Sequence, residues 1–190
     1  MKDQLRVLGV DDAPFNFRQG TVPIVGALVR SPGYLEAVMV SAVTIDGQDA
    51  NDGLTKMISS SRYREQISLV LIDGVALGGF NVVDIKRMHQ ETGISCATVT
   101  RDAPDLERIR KALQAHFDDW ERRWEIITAQ PLQVVQTRHR PLHVSSYGIS
   151  SNELVELLQQ TTVQGALPEP LRLAHLIATA LIKGESSGRA

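Results

Sequence analysis

The sequence predicts an α/β domain built on one mixed sheet, and three observations carry that prediction. Strand-like and helix-like segments alternate along the chain. The first three strand-like runs follow one another through short connections, which makes an antiparallel meander at one side of the sheet. The run ISLVLIDG is nearly all apolar, as a strand buried on both faces must be, and it takes the centre of the sheet.

The elements follow in order. RVLGVDD reads as a buried first strand that ends on two adjacent carboxylates, Asp11 and Asp12, before Pro14 forbids further pairing. Asp and Pro are also ordinary turn formers, so the same stretch has a bland reading as a polar loop. TVPIVGALVRS and YLEAVMVSAVTI are the next two strands, with SPG as the hairpin turn. DANDGLTKMISSS is helical, with Asp49 at its N-cap and Leu54, Met57 and Ile58 on one face. After the central strand, NVVDIKRMHQETG reads as a helix closed by Gly93, and ISCATVT as a further buried strand. DAPDLERIRKALQAHFDDWERRWEII reads as the longest helix, because Leu106, Ile109, Leu113, Phe117, Trp120 and Trp124 recur at three- or four-residue spacing. Such a stripe is core or interface rather than a base-stacking platform. PLQVVQTRHRPLHVSS is a final hairpin-like or strand region carrying Arg138, His139 and Arg140. SNELVELLQQTT and PEPLRLAHLIATALI are two terminal helices, the second with Pro168 and Pro170 at its start, where proline is tolerated. No repeat and no linker interrupts the chain, so residues 1–190 read as a single domain.

Composition narrows the function classes. With 190 residues and 43% hydrophobic content the chain can bury a real core. No apolar run approaches the roughly 20 residues that span a bilayer, and MKDQLRVLGV lacks the long apolar core of a signal peptide, which places the protein in the cytoplasm. The single cysteine, Cys96, sits in an apolar run with no CxxC neighbour, so it reads as core filler rather than as a nucleophile or zinc ligand. A net charge of −2 argues against a strongly basic, nonspecific nucleic-acid binder, and leaves room for a local basic surface.

The order strand, strand, strand, helix, central strand, helix, strand is that of the ribonuclease-H-like fold, in which helices flank a mixed sheet of three antiparallel strands followed by parallel ones. In that topology the first strand and the strand after the first helix lie side by side, so Asp11 and Asp73 close neighbouring strands at the same end. Two such carboxylates repel unless a cation lies between them, and a hard divalent ion such as Mg²⁺ prefers oxygen ligands, so the pair predicts a metal. A third carboxylate is offered by Asp46, Asp49 or Asp52 in TIDGQDAND. Each also has a structural role open to it: turn former at Asp46-Gly47, helix cap at Asp49, first-turn acid at Asp52. The sequence holds no GxxxxGK[ST], GxSxG or HExxH. Gly78-Gly79 follows a strand and reads either as a plain loop or as a close backbone approach to phosphate.

Several motifs together resemble an archaeal family, endonuclease dU, that is distantly similar to endonuclease V. DGVALGGFNVVD resembles its hallmark, and GVDDAPF resembles the first-strand motif of both families. IDGQDANDGLTKMI is similar to the segment where endonuclease V places a glutamate at a helix start, which assigns that role to Asp52. LIDG supplies the second strand aspartate as Asp73; VSSYGIS and PEPLRLAH resemble later family segments, the last placing Arg172 and His175 on one helix face. There are departures: TIDGQD stands where endonuclease V carries its lesion wedge, Asp52 is one methylene shorter than glutamate, and Arg101 stands for a lysine.

The resemblance implies a metal-dependent endonuclease acting on deaminated or altered nucleic acid, DNA rather than RNA. Asp11 and Asp73 would hold Mg²⁺ or Mn²⁺, with Asp52 completing the ligand set or orienting water. His175 would position water or assist a second metal, and Asp12 would orient its neighbour. Asp46, Asp49 and Arg172 would support these groups or bind substrate, while Arg101, with Arg18, Arg138 and Arg140, would contact phosphates. Phe80 would stack on an extruded base, or else pack in the core. His89, His116, His139 and His143 have no such support. Two other readings stay open: a non-catalytic nucleic-acid binder of the same fold, and a metal-dependent phosphohydrolase of small molecules.

Overall fold

The computed structural model describes residues 5–129 and 131–187. Three antiparallel strands open the chain: β1 (Arg6–Asp12), β2 (Thr21–Arg30) and β3 (Tyr34–Thr44). Then follow α1 (Ala50–Ser59), β4 (Ile67–Asp73), a small ribbon of β5 (Ala76–Leu77) and β6 (Asn81–Val82), α2 (Ile85–Thr92) and β7 (Ser95–Thr100). The chain continues through α3 (Leu106–His116), α4 (Trp120–Thr128), β8 (Gln133–Val135), β9 (Leu142–Tyr147), α5 (Ser151–Thr161) and α6 (Glu169–Lys183). The main sheet has seven strands in the order β3-β2-β1-β4-β7-β9-β8, with β1, β4 and β7 parallel. This is the ribbon order expected of a ribonuclease-H-like sheet, and β4 lies at its centre with Leu69 to Ile72 fully buried.

The sheet separates two apolar layers. One gathers Leu54, Met57 and Ile58 of α1 and Met88 of α2 with Leu8, Ile24 and Leu28; the other gathers Leu154 and Leu158 of α5 and Leu171 of α6 with Val7, Leu69, Leu71 and Val99. Burial of such side chains contributes roughly 1.5–3 kcal/mol each. Among the described residues no helix is long and apolar enough to cross a membrane.

One close approach fixes the position of α6. A Cβ on Gly9 would lie 2.2–2.5 Å from backbone atoms of Pro170 and Leu171, so α6 crosses β1 on a spot where only glycine fits. Five residues beyond Pro170, this crossing brings His175 to the end of β1. Gly9→Ala is therefore expected to destabilise the protein by about 3 kcal/mol or more, read as a fall in thermal midpoint, because the clash is with backbone.

Two expectations need correction. The predicted single helix over residues 102–127 is two helices, broken where Phe117 adopts an extended backbone (φ −134°, ψ 127°). The break turns Phe117 onto Phe80 in an edge-to-face contact at 5.7 Å, and α6, not this segment, is the longest helix. The helix predicted from Asn81 begins at Ile85, because Asn81 and Val82 pair in the β5–β6 ribbon and the Asp84 side chain caps the helix by accepting from the Arg87 amide.

Candidate metal centre

Parallel pairing sets Val10 beside Ile72, so the next residues, Asp11 and Asp73, leave the sheet together at its carboxyl edge. His175 of α6 reaches the same point. One ligand atom from each of Asp11, Asp73 and His175 lies within 4.8 Å of the other two. His175 Nδ1 is 2.8 Å from Asp11 Oδ2, and the other Asp11 oxygen accepts from the Asp12 amide at 2.9 Å. Arg101 leaves the end of β7 into the same open cleft of about 420 Å³, which Asp12, Pro14 and Phe15 also line.

The electrostatics are those of a site that wants a cation. Asp11 is 6% exposed. Burial first, then repulsion by Asp73 and Asp12, pushes its carboxyl up to about 8, against the opposing pull of the Asp12 amide and Arg101. Burial likewise raises Asp73, although Arg101 and His175 pull it down. Asp12 is also raised by burial, opposed by the Gly78 amide, from which it accepts a 2.5 Å hydrogen bond. Burying several acids on one another costs free energy that a positive ion would return. The donor set fits a divalent ion: two carboxylates and one imidazole suit Mn²⁺ well, and the carboxylates alone suit Mg²⁺.

Other predicted site residues lie elsewhere. Asp52 is not brought to the cluster: its position in the first turn of α1 faces α2, and its carboxylate pairs with Arg87 at 2.6 Å while 65% exposed. Asp49 occupies the N-cap position but makes no cap bond; it accepts from the amide and hydroxyl of Thr44 and from Asn81. Burial opposes its charge, yet these bonds prevail and hold its carboxyl below the usual range. Asp46, with φ 55°, accepts from the Phe80 amide and so fastens the turn after β3 to the β5–β6 ribbon. Arg172 is gripped by Glu169 through two hydrogen bonds. Phe80 is packed on Phe117, and the aromatic ring lining the cleft is Phe15, itself set edge-on to Phe17.

Arg18, Arg138 and Arg140 are exposed, on loops that leave the sheet at the same edge as Asp11 and Asp73. Gly78 and Gly79 both have positive φ in the ribbon turn, where Gly78 donates to Asp12. His89 bonds the Ile94 carbonyl and sits against Tyr147, while Cys96 is fully buried with its thiol pushed up to about 12 by burial.

Two residues behind the site were missed in the sequence. Asn81, fully buried, accepts from the Ala50 amide and donates to Thr44 and Asp49, thereby capping α1 from outside. Arg123, 6% exposed, donates to the carbonyls of Gly47 and Phe80 and pairs with Asp119. Its place in the charged run ERRWE reads as a solvated face, and only the break before α4 turns it inward.

Comparison with known proteins decides the family. Residues 3–182 match the family described as endonuclease dU. The chain belongs to the endonuclease dU family. A UPF0215 protein of Methanosarcina acetivorans is 42% identical over 193 residues, covering all of this chain and 97% of its own. Among solved structures, a protein of unknown function from Archaeoglobus fulgidus superposes with a TM-score of 0.84 at 34% identity, over 94% of this chain and 98% of that one. Endonuclease V of Ciona intestinalis, crystallised with inosine-containing DNA, superposes with a TM-score of 0.60 at 10% identity, over 92% and 84% of the two chains. That likeness to endonuclease V is one of fold. It agrees with the ribonuclease-H-like strand order of this chain.

Proposed function

We propose that this protein is a metal-dependent endonuclease that hydrolyses a phosphodiester near a deaminated or otherwise altered base, in DNA rather than RNA. The convergence of Asp11, Asp73 and His175 within 4.8 Å, beside Arg101 in an open cleft, carries the reading. Membership of the endonuclease dU family and the fold shared with endonuclease V support it. The cleft is open rather than enclosing, which suits a polymer backbone better than a small phosphoester that a pocket would surround.

Asp11 and Asp73 would hold a divalent ion, with His175 as the third ligand in place of the expected Asp52. The ion, when bound, supplies charge stabilisation on the scissile phosphate. Arg101 grips phosphate oxygens through its planar guanidinium and, being always charged, takes no part in proton transfer. Asp12 ties the end of β1 to the Gly78 turn and so holds Asp11 in place. Phe15 is the ring placed to stack on a displaced base.

The imidazole makes Mn²⁺ the ion expected to bind more tightly than Mg²⁺. Asp52→Asn should leave cleavage within about twofold, since an exposed ion pair contributes little to anything but local stability. The test is a nicking assay on labelled oligonucleotides bearing one deoxyuridine, one deoxyinosine or no lesion, with Mn²⁺, Mg²⁺ or EDTA. Metal-dependent cutting near a lesion is expected. Folded, metal-supplied protein that cuts none of them contradicts the proposal.

A further inference from the structure

The main sheet ends at β3, whose outer edge pairs with no other described strand. Over eleven residues this edge carries one charge, Glu36, and neither lysine nor proline. Glu36 is already held by Arg6 through two hydrogen bonds, beside an irregularity in the β2–β3 pairing. From Ala37 to Val43 no lysine, proline or bulge blunts the edge, although long edges are ordinarily guarded by them; at Thr44 the amide and carbonyl are taken by Asp49 and Asn81.

The face it presents is apolar. Ala37 and Met39 pack toward the α1 layer, so Val38 and Val40 point to the opposite side. There they are 45% and 58% exposed, while Ala27 and Val25, opposite them on β2, are fully buried. On that side α6 packs chiefly on β1 and β2.

We propose that this edge joins the same edge of a second copy of the chain, antiparallel, about a two-fold axis at Met39. An axis normal to the sheet keeps each face on its own side, so residues opposite one another must both be odd or both be even in number. Centred on Met39, the pairing sets Val38 against Val40 twice, Ala37 against Ser41, and Glu36 against Ala42. Centred on Val38 it would set Val40 against Glu36, and centred on Val40 it would set Val38 against Ala42. The Met39 register alone uses all four valines in β-branched cross-strand pairs. The edge is thus complementary to itself and brings no like charges together. The inference rests on the sheet edge and is independent of the nuclease reading.

Sedimentation velocity on the full chain across the micromolar range is expected to show a dimer. Val40→Lys, at an exposed position, should give a monomer with an unchanged circular dichroism spectrum and a cooperative melting curve that, unlike the wild type's, no longer depends on protein concentration. Met39→Cys should form an intermolecular disulfide on mild oxidation, since opposed residues of an antiparallel pair lie about 4.5–5.5 Å apart at Cα, within disulfide reach. Wild-type protein should not, because its one cysteine, Cys96, is fully buried. A wild-type monomer at every concentration overturns the proposal. So does a dimer that survives Val40→Lys, including one lost instead on Leu181→Lys at the exposed end of α6. A Met39→Cys protein that does not cross-link overturns the axis at Met39.

Discussion

Asp73→Asn is expected to lower cleavage at least about a thousandfold, equivalent to about 4 kcal/mol of transition-state stabilisation, while oligonucleotide affinity stays within about threefold. The split follows from position. Asp73 lines the cleft beside Asp11 and His175, whereas the groups proposed to hold the strand are Arg101 and the exposed arginines at the same edge. Asn keeps the size and one oxygen but loses the charge that holds a cation. Removing it also relieves repulsion on Asp11, so the fold should not suffer. Single-turnover cleavage and fluorescence anisotropy with the same oligonucleotide separate the two effects. An equal loss of both would mean that Asp73 acts in binding, and unchanged cleavage would remove it from the site.

Asp11→Asn is expected to stabilise the metal-free protein and to abolish its stabilisation by Mn²⁺. The sign follows from the Asp11 carboxyl, raised from 3.8 to about 8. Below about pH 4 both folded and unfolded chains carry the proton, and the stability due to that proton is fully present. From there to about pH 8 the unfolded chain has lost it while the folded chain retains it, so this contribution falls as pH rises and is gone above about 8. Asn is indifferent to pH. Its advantage over Asp in metal-free protein should therefore be near zero at pH 4 and grow to on the order of a few kcal/mol by pH 8. For the same reason Asp11 must give up its proton to serve as a ligand, and Mn²⁺ should raise the wild-type melting temperature more at pH 8 than at pH 6. Melting curves across this pH range, with and without Mn²⁺, check both signs. A wild-type protein more stable than Asp11→Asn in EDTA at pH 8 would contradict them.

The division between what the sequence revealed and what it concealed has physical causes. Asp11 and Asp73 were legible because each ends an apolar strand, and parallel pairing of those strands leaves no freedom over where the carboxylates emerge. His175 was legible only through its motif; the backbone contact between Gly9 and Pro170 that aims it is a tertiary fact with no local pattern. Asp52's place was not legible because an acid in the first turn of a helix is satisfied equally by a metal or by a neighbouring arginine, and Arg87, its partner, lies 35 residues away in the chain. The break at Phe117 was hidden because HFDDW contains neither proline nor glycine, and what holds it is the packing of Phe117 on Phe80 and of Arg123 over the Phe117 ring at 4.2 Å. Asn81 reads as the start of a helix, yet its buried amide joins the ends of β3, α1 and the ribbon.

The central claim is that Asp11, Asp73 and His175 together hold one divalent ion. Anomalous diffraction at the manganese edge, from crystals of the full chain grown with Mn²⁺, tests it most directly. The account predicts a peak bonded to a carboxylate oxygen of each aspartate and to a ring nitrogen of His175, absent from Asp73→Asn crystals. A peak at Asp46, Asp49 or Asp52 with none between Asp11 and Asp73, or no peak at saturating Mn²⁺ above pH 8, would contradict it.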